Sequence, residues 1–94
     1  MMVVECLAVY DIADPKRLRL VARIMESFGI RVQKSVFECH LPQSALKRML
    51  SCVQGVMDAE VDSLRVYPLP ANSRAQQIIL GCGEIPAFPP AFVI

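Results

Sequence analysis

Val3 to Tyr10 is almost uninterrupted apolar sequence, rich in valine and broken by Glu5. A run of this kind suits a central strand covered on both faces. It ends on a bare carboxylate, Asp11, and Asp14-Pro15 then opens a helix. The Asp side chain can accept from free N–H groups, and proline fits the first helical position. Leu18, Val21, Ala22, Met25 and Phe28 recur at three- and four-residue steps and form one apolar stripe, with Lys16, Arg19 and Arg23 off it. Gly29 is expected to stop this helix.

Residues 30–40, IRVQKSVFECH, read as extended, but their apolar phase slips. Ile30, Val32 and Val36 are even-numbered, whereas Phe37, Cys39 and Leu41 are odd. One regular strand cannot bury both sets on one face, so a bulge or a tight hairpin near Gln33–Ser35 is predicted. Pro42 opens a second helix with apolar positions Ala45, Leu46, Met49, Leu50 and Val53, followed by Gly55. Val61 to Tyr67 alternates, with Leu64 and Val66 on one face and Arg65 and Tyr67 on the other, until Pro68 and Pro70 stop it. Ala71 to Ala75 reads as a polar turn and Gln77 to Leu80 as a short last strand.

Split at the phase slip, the order becomes βαββαβ plus one extra strand, an α/β (α+β) ferredoxin-like sandwich. The domain is expected to span residues 1–83. Residues 84–94 form an apolar, proline-rich tail with Phe88, Phe92, Val93 and Ile94, expected to dock on a dimer mate or a partner protein. An open sheet this small has edges to protect, and pairing with a second copy into a homodimer would protect them.

Composition narrows the class. The chain has 94 residues, 54% of them hydrophobic, enough for one modest core. No apolar run approaches the roughly 20 residues of a membrane span, and the N-terminal stretch lacks the basic region and cleavage site of a signal peptide. Cys6, Cys39, Cys52 and Cys82 are scattered and His40 is the single histidine. Buried free thiols in a reducing cytoplasm are therefore expected, not a zinc set or a disulfide framework. Net charge is only +1, yet residues 15–50 carry eight bases against two acids. That basic middle permits a polyanion partner; a solvated helix face is the competing explanation.

Asp11 sits where an apolar strand ends, so its carboxylate should emerge at the sheet rim. Mg²⁺ commonly takes one or two carboxylates, waters and phosphate oxygens. A twofold dimer bringing two copies of Asp11 together would make a fuller site. The alternative for Asp11 is a turn role leading into the helix. Asp14 is assigned to capping. Tyr10 could stack or donate near the rim, or pack in the core. Arg17 and Arg31 flank the same region and are candidates for phosphate contacts. Gln33 and Ser35 could touch a sugar-phosphate backbone, while Phe37 is expected to pack rather than stack on a base. No nucleophile–base triad and no glycine-rich phosphate loop is present.

Taken together, VYDIADPKRLRLVARIMESFGIRVQKSVFE resembles the N-terminal signature of the CRISPR-associated Cas-two family, and DSLRVYPLP (Asp62 to Pro70) is similar to that family's next strand. The resemblance runs from about residue 3 to about residue 82. It implies a ferredoxin-like homodimer whose C-terminal strands complete the partner's sheet. It also implies spacer acquisition beside the Cas-one integrase on protospacer DNA. Some members are described as Mg²⁺-dependent endoribonucleases or endodeoxyribonucleases, and the aspartate matching Asp11 binds the metal. Tyr10, Arg17, Arg31 and Phe37 match positions linked to that activity. Lys16, Arg17, Arg19, Arg31 and Lys34 are the candidate nucleic-acid contacts. Two alternatives stay open: a non-catalytic scaffold of the integrase complex, and a toxin ribonuclease of the VapD type.

Overall fold

The computed structural model describes residues 2–83. Its elements are β1 (Val3–Asp11), α1 (Pro15–Glu26), β2 (Gly29–Gln33), β3 (Val36–Pro42), α2 (Gln43–Gln54), β4 (Ser63–Pro68) and the short α3 (Ser73–Gln76). The strands form one antiparallel sheet in the order β2-β3-β1-β4. Two βαβ crossovers with this order are the ferredoxin-like arrangement expected from the sequence. The apolar phase slip resolves as a hairpin turning at Lys34 and Ser35, and the β2–β3 register also shifts between Arg31 and Gln33.

β1 assigns its residues to faces by strict alternation. Cys6, Ala8 and Tyr10 are buried, as is Ile12 just beyond the strand; they meet Val21 and Met25 of α1 and Ala45, Met49 and Val53 of α2. Phe37, Cys39 and Leu41 of β3 complete this core, so both helices cover one face of the sheet. Glu5, Leu7, Val9 and Asp11 point to the other face. There, residues after β4 fold back, and Leu69, Ser73, Arg74 and Gln77 line one hollow together with Leu7 and Glu38. Both faces of β1 are thus at least partly covered, as its unbroken apolar run requires.

Helix α1 begins as its sequence dictates. Asp14 accepts from the Arg17 backbone N–H at 2.9 Å, and Pro15 occupies the first turn. Its end differs from expectation. Ser27 closes the helix in a right-handed conformation, and Gly29 is instead the first residue of β2. A Cβ at Gly29 would lie 2.6 Å from the Glu38 carbonyl oxygen and 2.8 Å from Cys39 Sγ. Gly29 is therefore needed for close strand approach, not for a left-handed stop.

Other expectations shift in detail. Pro42 is the last residue of β3 and precedes α2. Leu18 and Leu50, placed in the apolar stripes, stay over a third exposed because Val21, Met25, Met49 and Val53 already fill the contact with the sheet. α3 begins within the turn expected over Ala71 to Ala75 and runs on to Gln76, entered through Asn72 with a positive φ of 72°. Gln77 to Leu80, predicted as a strand, joins no ladder of this single chain, and Ile78 and Leu80 are exposed. Such a strand requires an edge to pair with, and within one chain residues 69–77 leave β4 to cross the open face. Cys6 and Cys39 are buried free thiols facing each other across β1 and β3, whereas Cys52 and Cys82 are exposed. The apolar tail, residues 84–94, lies outside the described residues.

Candidate functional site

At its C-terminal end, β1 delivers Asp11 to the sheet rim, paired in register with Ser63 of β4. Tyr10 points inward beside it and Asp11 outward, so the carboxylate is exposed. Among the described residues no hydrogen bond or ion pair engages it. The turn of the β2–β3 hairpin lies at the same end, since the Tyr10 N–H donates to the Ser35 carbonyl at 3.0 Å. Lys34 therefore sits in a turn at this end of the sheet, and Lys16 in the first turn of α1 after it, both exposed. Arg65 shares the open face of the sheet with Asp11, diagonally placed on β4 because Val9 pairs with Arg65. Diagonal neighbours on one face sit about 7–8 Å apart, within reach of a long side chain. The sequence pattern placed Arg65 on a face without linking it to Asp11; only the β1–β4 register does that.

Arg17, proposed for phosphate, has a carboxylate of its own. Its Nε donates to Asp62 Oδ2 at 2.8 Å and its Nη2 to Asp62 Oδ1 at 3.2 Å. The Asp62 side chain is fully buried, while that of Arg17 remains 28% exposed. Asp62 Oδ1 also accepts from the Ala13 N–H at 2.9 Å, and Oδ2 from the Asp58 N–H at 2.8 Å. Four donors satisfy both oxygens, and the Arg17 guanidinium holds the carboxyl well below the usual carboxylate range. The same pairing raises the Arg17 guanidinium. Asp62 is the residue that sequence reasoning missed. Within the alternating stretch Val61 to Tyr67 it reads as one more polar strand position, and nothing local reveals a partner 45 positions away.

The aromatic candidates lie deeper. Phe37 is fully buried and Tyr10 is 2% exposed, their rings stacked with centroids 6.1 Å apart. Burial pushes the Tyr10 phenol up, with the Arg31 charge opposing, and its hydroxyl donates to the Lys34 carbonyl at 3.2 Å. Arg31 is exposed and lies over the Phe37 ring. So the topology brings Asp11, Lys16, Arg17, Lys34 and Arg65 to one end of the sheet. Arg31 stands on the helix-covered side of the edge strand, Arg19 on the exposed face of α1, and Tyr10 and Phe37 beneath the surface.

The donor chemistry suits a hard cation only in part. Asp14 and Asp62 are engaged with N–H groups and Arg17, which leaves Asp11 as the free carboxylate of the rim. No group of three or more His, Cys, Asp or Glu side chains able to hold a metal occurs among the described residues. One carboxylate oxygen donor fits Mg²⁺ where water, phosphate or a second copy completes the shell.

The sequence that folds into this ferredoxin-like sheet matches a known family. The model of the CRISPR associated protein Cas2 family fits residues 2–77. The chain belongs to the Cas2 family. Over 89 residues it is 42% identical to the CRISPR-associated endoribonuclease Cas2 2 of Synechocystis sp., covering 94% of this chain and 95% of that one. It is 38% identical over 77 residues to the CRISPR-associated endonuclease Cas2 2 of Thermus thermophilus, covering 82% and 81% of the two chains. Among solved structures, Streptococcus pyogenes Cas2 superimposes with a TM-score of 0.73 at 34% identity, covering 85% of this chain and all of that one. The Cas2 fold thus extends over β1 to β4 with the Asp11 rim included. No helix among the described residues is long and apolar enough to cross a membrane.

Proposed function

We propose that this Cas2 protein serves CRISPR adaptation as a nucleic-acid-binding homodimer beside the Cas-one integrase, with a Mg²⁺-dependent phosphodiesterase site at Asp11. The observation that carries the reading is the free, exposed Asp11 carboxylate among Lys16, Arg17, Lys34 and Arg65. In it, Asp11 would hold the metal, with a second copy's Asp11 or substrate phosphate supplying further oxygens. When bound, Mg²⁺ would neutralise charge at the scissile phosphate and make an attacking water more acidic. The bases around Asp11 position the backbone and stabilise charge that develops on the phosphoryl oxygens. Names of relatives such as the Synechocystis endoribonuclease support RNA as one substrate class.

A scaffold reading has its own support. The rim of one chain offers a single free carboxylate, and Arg17 is already matched by Asp62. A basic band that grips duplex DNA needs no metal. The deciding experiment is cleavage of labelled single-stranded RNA and of duplex DNA, in Mg²⁺ and in EDTA, by the wild type and Asp11→Asn. Metal-dependent cutting lost in Asp11→Asn is the expected result. Duplex binding without cutting by either protein would overturn the nuclease reading in favour of the scaffold.

A further inference from the structure

We propose that Asp62 is the positioning residue of the Asp11 site: it fixes the turn that follows Asp11 and holds Arg17 at the same end of the sheet. The inference rests on the nuclease reading for its kinetic consequence but not for its structural content.

The argument begins with where Asp62 reaches. Its carboxylate joins three segments: the β1–α1 turn through Ala13, the first turn of α1 through Arg17, and the α2–β4 connection through Asp58. Asp11 lies two residues before Ala13, and its ladder partner Ser63 directly follows Asp62. The strand end that carries Asp11 is therefore braced on both sides by one short stretch, residues 62–63. On the Ser63 side the brace is the β1–β4 ladder, and on the Ala13 side it is a buried carboxylate with every oxygen satisfied.

Buried charged groups with all partners in place rigidify their surroundings, because loosening one bond leaves a desolvated group unmatched. A metal-binding carboxylate at a chain end depends on that rigidity, since a shift of about 1 Å at a reacting centre can cost a hundredfold in rate. Arg17 gains in the same way. The Asp62 fork fixes its plane while the Arg17 side chain stays 28% exposed.

The test compares wild type, Asp62→Asn and Asp11→Asn, and the Asp11→Asn/Asp62→Asn double variant. Asn keeps the size of Asp62 and one acceptor oxygen, but that neutral oxygen holds the Ala13 N–H more weakly than a carboxylate does, and its NH₂ cannot accept from Arg17 Nε or the Asp58 N–H. In folded Asp62→Asn, kcat should fall about tenfold or more with KM within about twofold. The double variant should be no worse than Asp11→Asn alone, because Asp62 acts through Asp11. Independently of cleavage, amide hydrogen exchange at Ala13 should speed about tenfold or more in Asp62→Asn while amides of β3 stay protected.

Unchanged kcat in folded Asp62→Asn, or unchanged Ala13 exchange, would overturn the proposal. If Asp62→Asn fails to fold, Arg17→Lys replaces it: it keeps the charge but loses the two-pronged contact, and the same kcat loss and Ala13 exchange are expected. If the wild type cuts nothing, the nuclease reading has failed. The Ala13 exchange then decides whether Asp62 braces the rim.

Discussion

The guanidinium of Arg31 lies 5.3 Å from the centroid of the Phe37 ring. Because Phe37 is itself buried and stacked on Tyr10, the ring acts as a fixed seat under a cation at the sheet edge. A cation over an aromatic face gains about 0.5–1 kcal/mol at exposed sites. Arg31 is thus the accessible member of a three-residue stack, and under the proposed function any effect of the two rings on nucleic acid passes through it. Arg31→Ala should change stability by no more than about 1 kcal/mol. It should weaken nucleic-acid binding and reduce the magnitude of the salt-dependence slope by about one phosphate contact. Phe37→Leu should cost about 1–2 kcal/mol of stability, with binding weakened less than in Arg31→Ala. Salt-titrated binding checks both. An unaltered slope in Arg31→Ala would remove Arg31 from the phosphate contacts.

Tyr10 separates chemistry from packing in a single substitution. Its ring belongs to the core, and its hydroxyl donates to the Lys34 carbonyl, joining β1 to the hairpin turn. Tyr10→Phe keeps the ring and deletes that bond, for an expected loss of about 0.5–1.5 kcal/mol by urea denaturation. Cleavage per folded molecule should stay within about threefold of wild type if the hydroxyl has no part in proton transfer. A loss of a hundredfold or so with the fold intact would make it an acid or base.

What could be read in the sequence follows from how far each signal acts. The Asp14-Pro15 helix start is local, and the structure realises it with the Arg17 N–H bond. The phase slip around Gln33 reported a real change of face, because side-chain alternation is fixed by the strand itself. Asp11 was legible as a rim carboxylate for the same reason. Asp62 and Arg65 were not, because their relation to Asp11 exists only once β4 pairs with β1. Gly29 was misjudged because a glycine after a helix usually marks a left-handed stop. Here it is the neighbouring strand, 38–39, that leaves no room for a side chain.

That crowding gives Gly29 a measurable role. A methyl group there would meet backbone oxygen at 2.6 Å, an atom that cannot swing away as a side-chain tip could. Gly29→Ala should therefore push β2 from β3 and cost about 1–3 kcal/mol. The gain of about 0.4–1 kcal/mol that alanine brings by restricting the unfolded chain is too small to reverse this. Urea denaturation provides the check, with amide exchange in β2 and at Arg31 rising most. A neutral or stabilising Gly29→Ala would mean that the two strands are free to separate at little cost.

The Arg17–Asp62 pair also sets how the fold responds to acid. The folded-state pKa of Asp62 lies below its unfolded value of about 3.9, so the folded chain binds fewer protons at this site than the unfolded chain does. Its contribution is complete above about pH 5 and shrinks as the pH falls below about 4, toward the depressed folded value. Asp14, lowered by the Arg17 N–H, acts with the same sign. Glu38, raised by burial with Glu5 adding to the effect and Arg74 opposing it, acts with the opposite sign: its protonation in mild acid favours the folded chain. Because Asp14 and Glu38 are common to both proteins, comparing the wild type with Asp62→Asn isolates Asp62. Thermal midpoints should differ most, and by a constant amount, above about pH 5, then draw together steadily below about pH 4. A gap that did not vary with pH would show that the Asp62 charge contributes nothing and that its hydrogen bonds alone hold the β1–α1 turn.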